Sequence, residues 1–292
     1  MSHFVALLAS HNRRDRTIAC LTSLFDQDLP GHQIEAVLVD DGSNDGTADA
    51  ARMMSSQVEV IHGDGSLYWA RAMALAEQRA ITRGPDYLLW LNDDVVLHRH
   101  AVKTLLAARH MSTDAGVVVG AVVDPESGAL TYGGVRRVDW HPMRYALVVP
   151  ENGEPQSCTT FNGNVVLVPR PVYRAVGGID GRFEHAYADF DYGLRARALG
   201  FELSVTGAPV GTCSKGPKVP WTDPALSLVD RYRLLLDRKG VPLGSSARYL
   251  RRHGGRLWPI YFAATYVKVG VEHVRARIRL ARIGRRWPAM RS

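Results

Sequence analysis

Short apolar runs alternate with helical patterns through the first half of the chain, and this alternation limits the fold more than any other feature. The apolar runs, which we predict to be strands, are Phe4–Ala9, Ile34–Val39, Val58–His62, Tyr87–Leu91 and Val117–Val123. The helical patterns between them are Thr17–Phe25, Thr47–Met54, Leu67–Ile81 and Ala101–His110. Strands this apolar, separated by helices, predict an α/β fold with a mostly parallel, Rossmann-like central sheet flanked by helices.

The pattern changes near residue 124 and again near residue 216. Short strands punctuated by glycine and proline follow the first change, together with a predicted helix, Asp189–Leu199, and a predicted strand, Glu202–Val205. After the second change the chain is proline-rich, then helical and basic. We therefore divide the chain into a catalytic domain, 1–215, with halves 1–123 and 124–215, and a C-terminal extension, 216–292.

Cysteine usage and hydropathy indicate the expected compartment. The three cysteines, Cys20, Cys158 and Cys213, are an odd number without a CxxC pair, which argues against a disulfide framework or a structural zinc site. The N-terminus lacks a basic segment, and no apolar stretch approaches the roughly 20 residues of a spanning helix. We expect a cytoplasmic protein.

Two predicted strands run directly into carboxylates, Asp93-Asp94 after one and Asp40-Asp41 after another. Ligands of such sheets bind beyond the carboxyl ends of the strands. Paired buried acids need a cation, and Mg²⁺ or Mn²⁺ typically binds one or two carboxylates plus phosphate oxygens. The alternatives are an aspartate pair that caps a helix starting near His98 and, for Asp40-Asp41, a tight turn.

Four segments in this order and spacing carry a family resemblance. They are Ser10-His11-Asn12, Val39-Asp40-Asp41-Gly42-Ser43, Asn92-Asp93-Asp94 and Asp189-Phe190-Asp191-Tyr192-Gly193-Leu194-Arg195. Together they resemble the GT-A-fold glycosyltransferases of family 2, over roughly residues 3–215. The resemblance implies a GT-A fold and an inverting transferase that uses a nucleoside-diphosphate sugar.

The resemblance also implies roles on the donor side. Ala9, Ser10 and Asn12 would line the nucleoside pocket, and Asp41 would contact the base or the ribose. Asp93 would contact the ribose or the donor sugar.

Asp94 would be the direct ligand of a divalent metal, Mn²⁺ or Mg²⁺. The chain departs from the family pattern at Asn92, where many members have aspartate, and near Cys213, where many have a histidine. A thiolate suits these hard ions poorly, so we expect Cys213 to be a small buried side chain and metal affinity to be modest.

On the acceptor side, Asp189 corresponds to the family's catalytic base, although Ala188 replaces the usual glutamate before it. A positioned carboxylate makes an acceptor hydroxyl nucleophilic by taking its proton. Asp191 is a candidate for the acceptor pocket, but we favour a helix carboxylate paired with Arg195.

Two further segments are candidates for sugar and diphosphate contacts. Asp64, Trp69 and Arg71 lie where the family has a loop that enters a helix, and a helix N-terminus beside an arginine suits a diphosphate. Trp69 as a core residue is the alternative. Asn162 and Asn164 are either a polar wall of the sugar pocket or part of a hairpin turn.

The last 45 residues, 248–292, contain 12 lysines and arginines and one acidic residue. On a helix, Val267, Val271, Val274, Ile278 and Ala281 form an apolar stripe, and Arg275, Arg279, Arg282 and Arg286 form a row beside it. This pattern favours peripheral contact with an anionic membrane through 256–287, at the inner face of the cell membrane. A helix packed on the catalytic body or on a second copy is the alternative, and nucleic acid is not expected.

The predicted reaction is non-processive transfer to a hydroxyl of a saccharide or lipid-linked acceptor in bacterial surface-glycan synthesis, since the Gln-x-x-Arg-Trp motif of processive synthases is absent. The donor would be a UDP- or dTDP-sugar. Within the family, the chain most resembles the bacterial branch that includes rhamnosyltransferases. The resemblance lies in three segments, Gly63-Asp64-Gly65-Ser66, Leu91-Asn92-Asp93-Asp94 and Asn162-Gly163-Asn164. It implies dTDP-rhamnose as a candidate donor. The rivals are a sugar nucleotidyltransferase and a catalytically degenerate nucleotide-binding protein.

Overall fold

The computed structural model describes residues 1–110, 116–216, 220–223 and 225–286, without the side chains of His110, Pro220 and 279–286. The chain forms two compact units, Met1–Lys215 and Gly216–Ser292. The predicted arginine row therefore lies largely outside the described side chains, as do Ala281 and residue 287.

The first unit contains thirteen strands and six helices within its described residues. The strands are β1 (His3–Ser10), β2 (Gln33–Asp40), β3 (Val58–His62), β4 (Tyr87–Leu91), β5 (Val96–Leu97), β6 (Val117–Val123), β7 (Leu130–Tyr132), β8 (Gly134–Arg137), β9 (Tyr145–Leu147), β10 (Gln156–Ser157), β11 (Thr160–Phe161), β12 (Val165–Pro169) and β13 (Leu203–Thr212). The helices are α1 (Arg14–Phe25), α2 (Thr47–Met54), α3 (Tyr68–Ile81), α4 (Ala101–His110), α5 (Arg170–Val176) and α6 (Ala188–Ala198).

The main sheet has the strand order β10-β13-β6-β12-β4-β1-β2-β3, with β5 on β13 and β7 on β6. Strands β1 to β4 are mutually parallel, and so are β6 and β13. Strand β12 runs antiparallel between β4 and β6. The central strands are almost fully buried, as their continuous apolar sequences predict. The α/β fold with a mostly parallel central sheet is confirmed.

This topology brings the polar segments to one edge of the sheet. The parallel strands β1, β2, β3 and β4 all end there, and β12 begins there because it runs in the opposite direction. Asn162–Asn164 lies at that beginning. Strand β11 belongs to a separate three-stranded sheet, β11-β8-β9, so the segment crosses between two sheets and the hairpin-turn alternative is wrong.

The second unit contains three α-helices within its described residues, α7 (Leu228–Leu236), α8 (Leu243–His253) and α9 (Trp258–Arg286), besides two single 3₁₀ turns. Tyr232 of α7 donates a hydrogen bond to the carbonyl of Tyr266 in α9. Tyr266 in turn donates to the carbonyl of Val241, just before α8, so all three helices are tied together. Among the described residues, no helix combines the length and the apolarity needed to cross a membrane.

Candidate active site

The paired carboxylates after β4 are held by an arginine from the end of β1. The Nη1 atom of Arg13 lies 3.0 Å from Asp93 Oδ1 and 3.1 Å from Asp94 Oδ2. The Asp93 side chain is almost entirely buried, whereas the Asp94 side chain is 24% exposed. Burial raises the pKa of Asp93 although Arg13 acts to lower it. Since the following helix begins only at Ala101, the helix-cap alternative is wrong.

The residues around Asp94 fit a divalent ion that is held only partly by protein. Among the described residues, no group of three or more His, Cys, Asp or Glu side chains is arranged to hold a metal. Cys213 Sγ lies 3.5 Å from Asp94 Oδ1, but burial, helped by Asp94, raises the pKa of this thiol to about 12. It therefore stays protonated while no metal is bound, and a thiol is in any case a soft ligand for these hard ions. Asp94, with phosphate and water oxygens, can still complete the octahedral shell that Mg²⁺ and Mn²⁺ prefer.

The carboxylate of Asp41 organises the loop that leads into α3. Its Oδ1 accepts a hydrogen bond from the Gly65 amide and its Oδ2 accepts one from the Tyr68 amide, each 2.9 Å long. Asp41 is buried, and a side chain at Gly42 would collide with Gly65 N at 2.8 Å. The loops after β2 and β3 are thus in direct contact. A contact between Asp41 and a base or ribose stays a prediction.

The three predicted sugar and diphosphate contacts lie at the N-terminal end of α3 (Trp69 and Arg71) and in the loop before it (Asp64). Trp69 donates a hydrogen bond from Nε1 to Asn92 Oδ1, 2.8 Å away, and is partly exposed, which favours a site residue over a core residue. Arg71 is exposed, and Asp64 accepts from the amide and hydroxyl of Ser66.

Left-handed backbone conformations cluster at this edge of the sheet. Asn12 (φ 51°), Tyr68 (φ 57°) and Tyr187 (φ 76°) are three of the four non-glycine residues with positive φ among those described. They lie directly after β1, at the start of α3 and at the start of α6. Such strain costs on the order of 1–3 kcal/mol per residue and accumulates at functional sites.

Asp189 lies in the first turn of α6 and reaches back to the start of β12. Its Oδ2 accepts a 3.0 Å hydrogen bond from the Gly163 amide, and its Oδ1 accepts one from the Phe190 amide. Burial raises the pKa of Asp189 to about 6, against these two hydrogen bonds, which lower it. The residue keeps partial exposure. A carboxylate with such a pKa can take a proton at neutral pH.

Trp69 and Gly163 connect this base to the carboxylates after β4. A side chain at Gly163 would meet the Trp69 ring at 2.7 Å and Asp189 Cβ at 3.4 Å. Trp69 bonds to Asn92, the residue next to Asp93. The donor and acceptor candidates therefore form one continuous set of contacts.

Buried polar contacts hold α6, the helix that carries Asp189, against the end of α5 and the segment that follows it. Asp191, which is fully buried, accepts from Arg195 Nε at 2.8 Å, and this contact favours the helix-pairing interpretation over a place in the acceptor pocket. The remaining nitrogens of Arg195 donate to the carbonyls of Val176 and Gly178. Glu77 of α3 accepts from the Ile179 amide at 2.6 Å, and burial raises its pKa to about 7.

The remaining candidates occupy the same edge. Ala9 is partly exposed, whereas Asn164 is buried and its backbone oxygen accepts a hydrogen bond from the Asn92 amide. Ser10 is buried and bonds to Thr17, whereas Asn12 is exposed and accepts from the Asn44 amide. Asn162 is partly exposed.

Sequence reasoning missed Arg13 and Glu77. Arg13 stands one residue beyond a recognised segment, so only its charge could have marked it. For Glu77, an acid among alanines on the buried face of a helix was the available signal.

Comparison with known proteins shows the fold and the family. The model of the family described as "Glycosyl transferase family 2" matches residues 6–166. No curated protein sequence matches the chain.

Three solved structures illustrate the likeness in fold. TarS (residues 1–349) of S. aureus, in complex with UDP, has a TM-score of 0.56 at 14% identity, over 86% of this chain and 71% of that one. GalNAc-T7 with UDP, GalNAc and Mn²⁺ has a TM-score of 0.61 at 14% identity, over 88% and 53%. The mannosyltransferase PcManGT of Pyrobaculum calidifontis, with GDP-Man and Mn²⁺, has a TM-score of 0.55 at 17% identity, over 98% and 76%.

At these identities the solved structures show a common fold, whereas the family match is made by the sequence itself. Because that match extends over more than half of the chain and includes the segments after β1, β2 and β4, the chain belongs to glycosyl transferase family 2 and is a glycosyltransferase.

Proposed function

We propose that this glycosyltransferase moves a single sugar, with inversion, from a UDP- or dTDP-sugar to a hydroxyl of a saccharide or lipid-linked acceptor in bacterial surface-glycan synthesis. dTDP-rhamnose is the first dTDP donor to test. The observation that carries the proposal is the contact set Asp189–Gly163–Trp69–Asn92, which connects a carboxylate of raised pKa to the acidic pair Asp93 and Asp94.

In the proposed reaction, Asp189 accepts the proton of the acceptor hydroxyl as the oxygen attacks the anomeric carbon, and the nucleoside diphosphate leaves from the opposite face. A divalent ion at Asp94, when bound, neutralises charge on the diphosphate. The positive N-terminal end of α3 favours the same negatively charged group, and the exposed Arg71 provides guanidinium donors to it. Trp69 forms an aromatic wall beside the sugar. Its ring packs against that of Trp90, with 6.1 Å between the two ring centroids.

Two features support this function over the rivals. A sugar nucleotidyltransferase would be expected to carry a glycine-rich basic loop after its first strand, and Ser10–Asp15 contains no glycine. A degenerate nucleotide-binding protein has no need for a carboxylate poised near neutral pH at the acceptor side, and Asp189 is such a carboxylate.

We also propose that α9 attaches the enzyme to an anionic membrane surface, where a lipid-linked acceptor would be presented. Four valine and isoleucine side chains at helical spacing stay between 41% and 61% exposed: Val267, Val271, Val274 and Ile278. Lys268 and Arg275 lie beside this stripe and are exposed as well. An exposed apolar stripe with flanking cations suits the interface of anionic lipids.

Substitution of Asp189 by Asn tests the proposed base. Transfer to the acceptor should fall by at least about a hundredfold, since an amide cannot take the proton. Binding of UDP or dTDP, measured by calorimetry, should change little. The control is Asp26→Asn, an exposed aspartate at the C-terminal end of α1, which should keep full transfer. Loss of nucleotide binding in Asp189→Asn would refute the assignment.

The pH dependence of turnover tests the same residue in another way. Because the pKa of Asp189 is raised to about 6, its side chain is mostly protonated below that pH and mostly ionised, and so able to accept a proton, above it. With donor and Mn²⁺ saturating, kcat/KM for the acceptor, which reports groups of the enzyme without acceptor, should rise about tenfold per pH unit below 6 and level off above 7. Nucleotide binding over the same range separates this effect from titration on the donor side. A flat profile from pH 5 to 8 contradicts the proposal.

Vesicle sedimentation tests the membrane contact. The full chain should sediment with vesicles that contain 30–40% phosphatidylglycerol (roughly the anionic content that attracts basic segments) and much less with phosphatidylcholine alone. The double variant Val267→Glu, Val274→Glu should bind at least about tenfold more weakly. Val229→Glu, at an exposed valine of α7, is the matched control and should bind normally. Equal binding of the double variant and the control would contradict the proposal.

A further inference from the structure

Arg13 pairs with one oxygen of each of the two carboxylates at which a metal would bind. A single nitrogen, Nη1, lies within 3.1 Å of one oxygen of Asp93 and one oxygen of Asp94. Among the described residues, no other basic side chain forms an ion pair with either aspartate. The guanidinium therefore neutralises part of the charge on the acidic pair within the protein itself.

The arginine is the most exposed member of this cluster. Its side chain is 44% exposed, whereas those of Asp93 and Asp94 are 6% and 24% exposed. It is the N-cap residue of α1, and its side chain makes no capping hydrogen bond there. A long side chain anchored only at its charged end can turn to another anion at little structural cost.

The aspartates, in contrast, are fixed by the sheet. They follow β4, and the Asn92 amide before them donates to Asn164 O at 3.0 Å while its side chain accepts from Trp69. A cation that arrives at this site therefore meets carboxylates in place, with one oxygen of each already bonded to Arg13.

A divalent ion and a guanidinium repel each other when both lie against the same oxygens, because like charges a few ångströms apart interact strongly in a partly buried site. A diphosphate relieves that repulsion. It supplies oxygens to the ion, and it is also a partner that an arginine can bind through two parallel hydrogen bonds.

We propose that Arg13 is an internal counter-cation that competes with the divalent metal for Asp93 and Asp94 and moves to the diphosphate when the donor binds. The consequence is that metal and donor bind cooperatively, and that the acidic pair binds metal weakly while no donor is present. This inference rests on the proposed function, since it takes the donor to be a nucleoside-diphosphate sugar and the metal to bind at Asp94.

The test is the affinity of the full chain for Mn²⁺ alone, measured by electron paramagnetic resonance of the free ion. Arg13→Gln removes the competing charge, and Arg14→Gln removes the same charge from the next position, where the side chain is exposed. Arg13→Gln should bind Mn²⁺ about tenfold more tightly than the wild-type chain and Arg14→Gln, a change of the size that neighbours of a metal site produce. Arg13→Lys keeps the charge without the planar fork and should lie between them.

A second measurement repeats the Mn²⁺ titration with UDP present. UDP should tighten Mn²⁺ binding in the wild-type chain and in Arg14→Gln, and this gain should be smaller in Arg13→Gln. Thermal unfolding of each variant with Mn²⁺ shows whether the substituted chain is folded. If Arg13→Gln is not folded, the Mn²⁺ affinity of Arg13→Lys is compared with that of Arg14→Lys, and the inference requires tighter binding by Arg13→Lys.

Equal or weaker Mn²⁺ binding by Arg13→Gln relative to Arg14→Gln would overturn the inference. If no variant binds Mn²⁺ but UDP still stabilises the chain, the competition is refuted while a metal-independent transferase survives. If neither Mn²⁺ nor any nucleotide binds, the proposed function fails together with the inference.

Discussion

The pairing of β4 with β12 joins the two chemical halves of the site, and the other contacts depend on it. The strands are antiparallel, with Val165 opposite Leu91, and the pairing continues as the hydrogen bond from the Asn92 amide to Asn164 O. It places the acidic residues after β4 beside the segment before β12. Without this register, Asp189, which bonds to the Gly163 amide, would have no fixed relation to Asp93 and Asp94.

Burial and neighbouring charges then give the carboxylates of the site different roles. Asp41 has both oxygens bonded to backbone amides and holds the loop before α3. Asp191 is buried against Arg195 and orients α6. Asp94 remains partly exposed beside one arginine, and Asp189 has a raised pKa and partial exposure. These four aspartates thus acquire different roles, because the groups that each one contacts decide whether its protonated or its ionised form is the more stable.

The parallel half of the fold could be predicted from hydropathy, since Val58–His62, Tyr87–Leu91 and Val117–Val123 are strands at those same bounds. The alternation of strands and helices also predicted that the polar residues after β1, β2 and β4 would lie together at the carboxyl ends of the strands. The antiparallel insertion of β12 and the short strands β8 and β11 depend on tertiary pairing, which leaves little local pattern. Helix α5 was missed because Pro171 in its first turn is as typical of a loop as of a helix start. Arg13 was missed because the direction of a long side chain depends on the left-handed residue before it, Asn12.

We propose that the carboxylates after β4 bind the donor's diphosphate through a metal. Calorimetric titration of UDP or dTDP into the chain, with and without Mn²⁺, tests it most directly when Asp94→Asn is titrated in parallel. We expect Mn²⁺ to tighten nucleotide binding to the wild-type chain by at least about tenfold, and Asp94→Asn to lose this gain while keeping its metal-free affinity. Nucleotide binding that is the same with and without Mn²⁺, or an undiminished gain in Asp94→Asn, would contradict it.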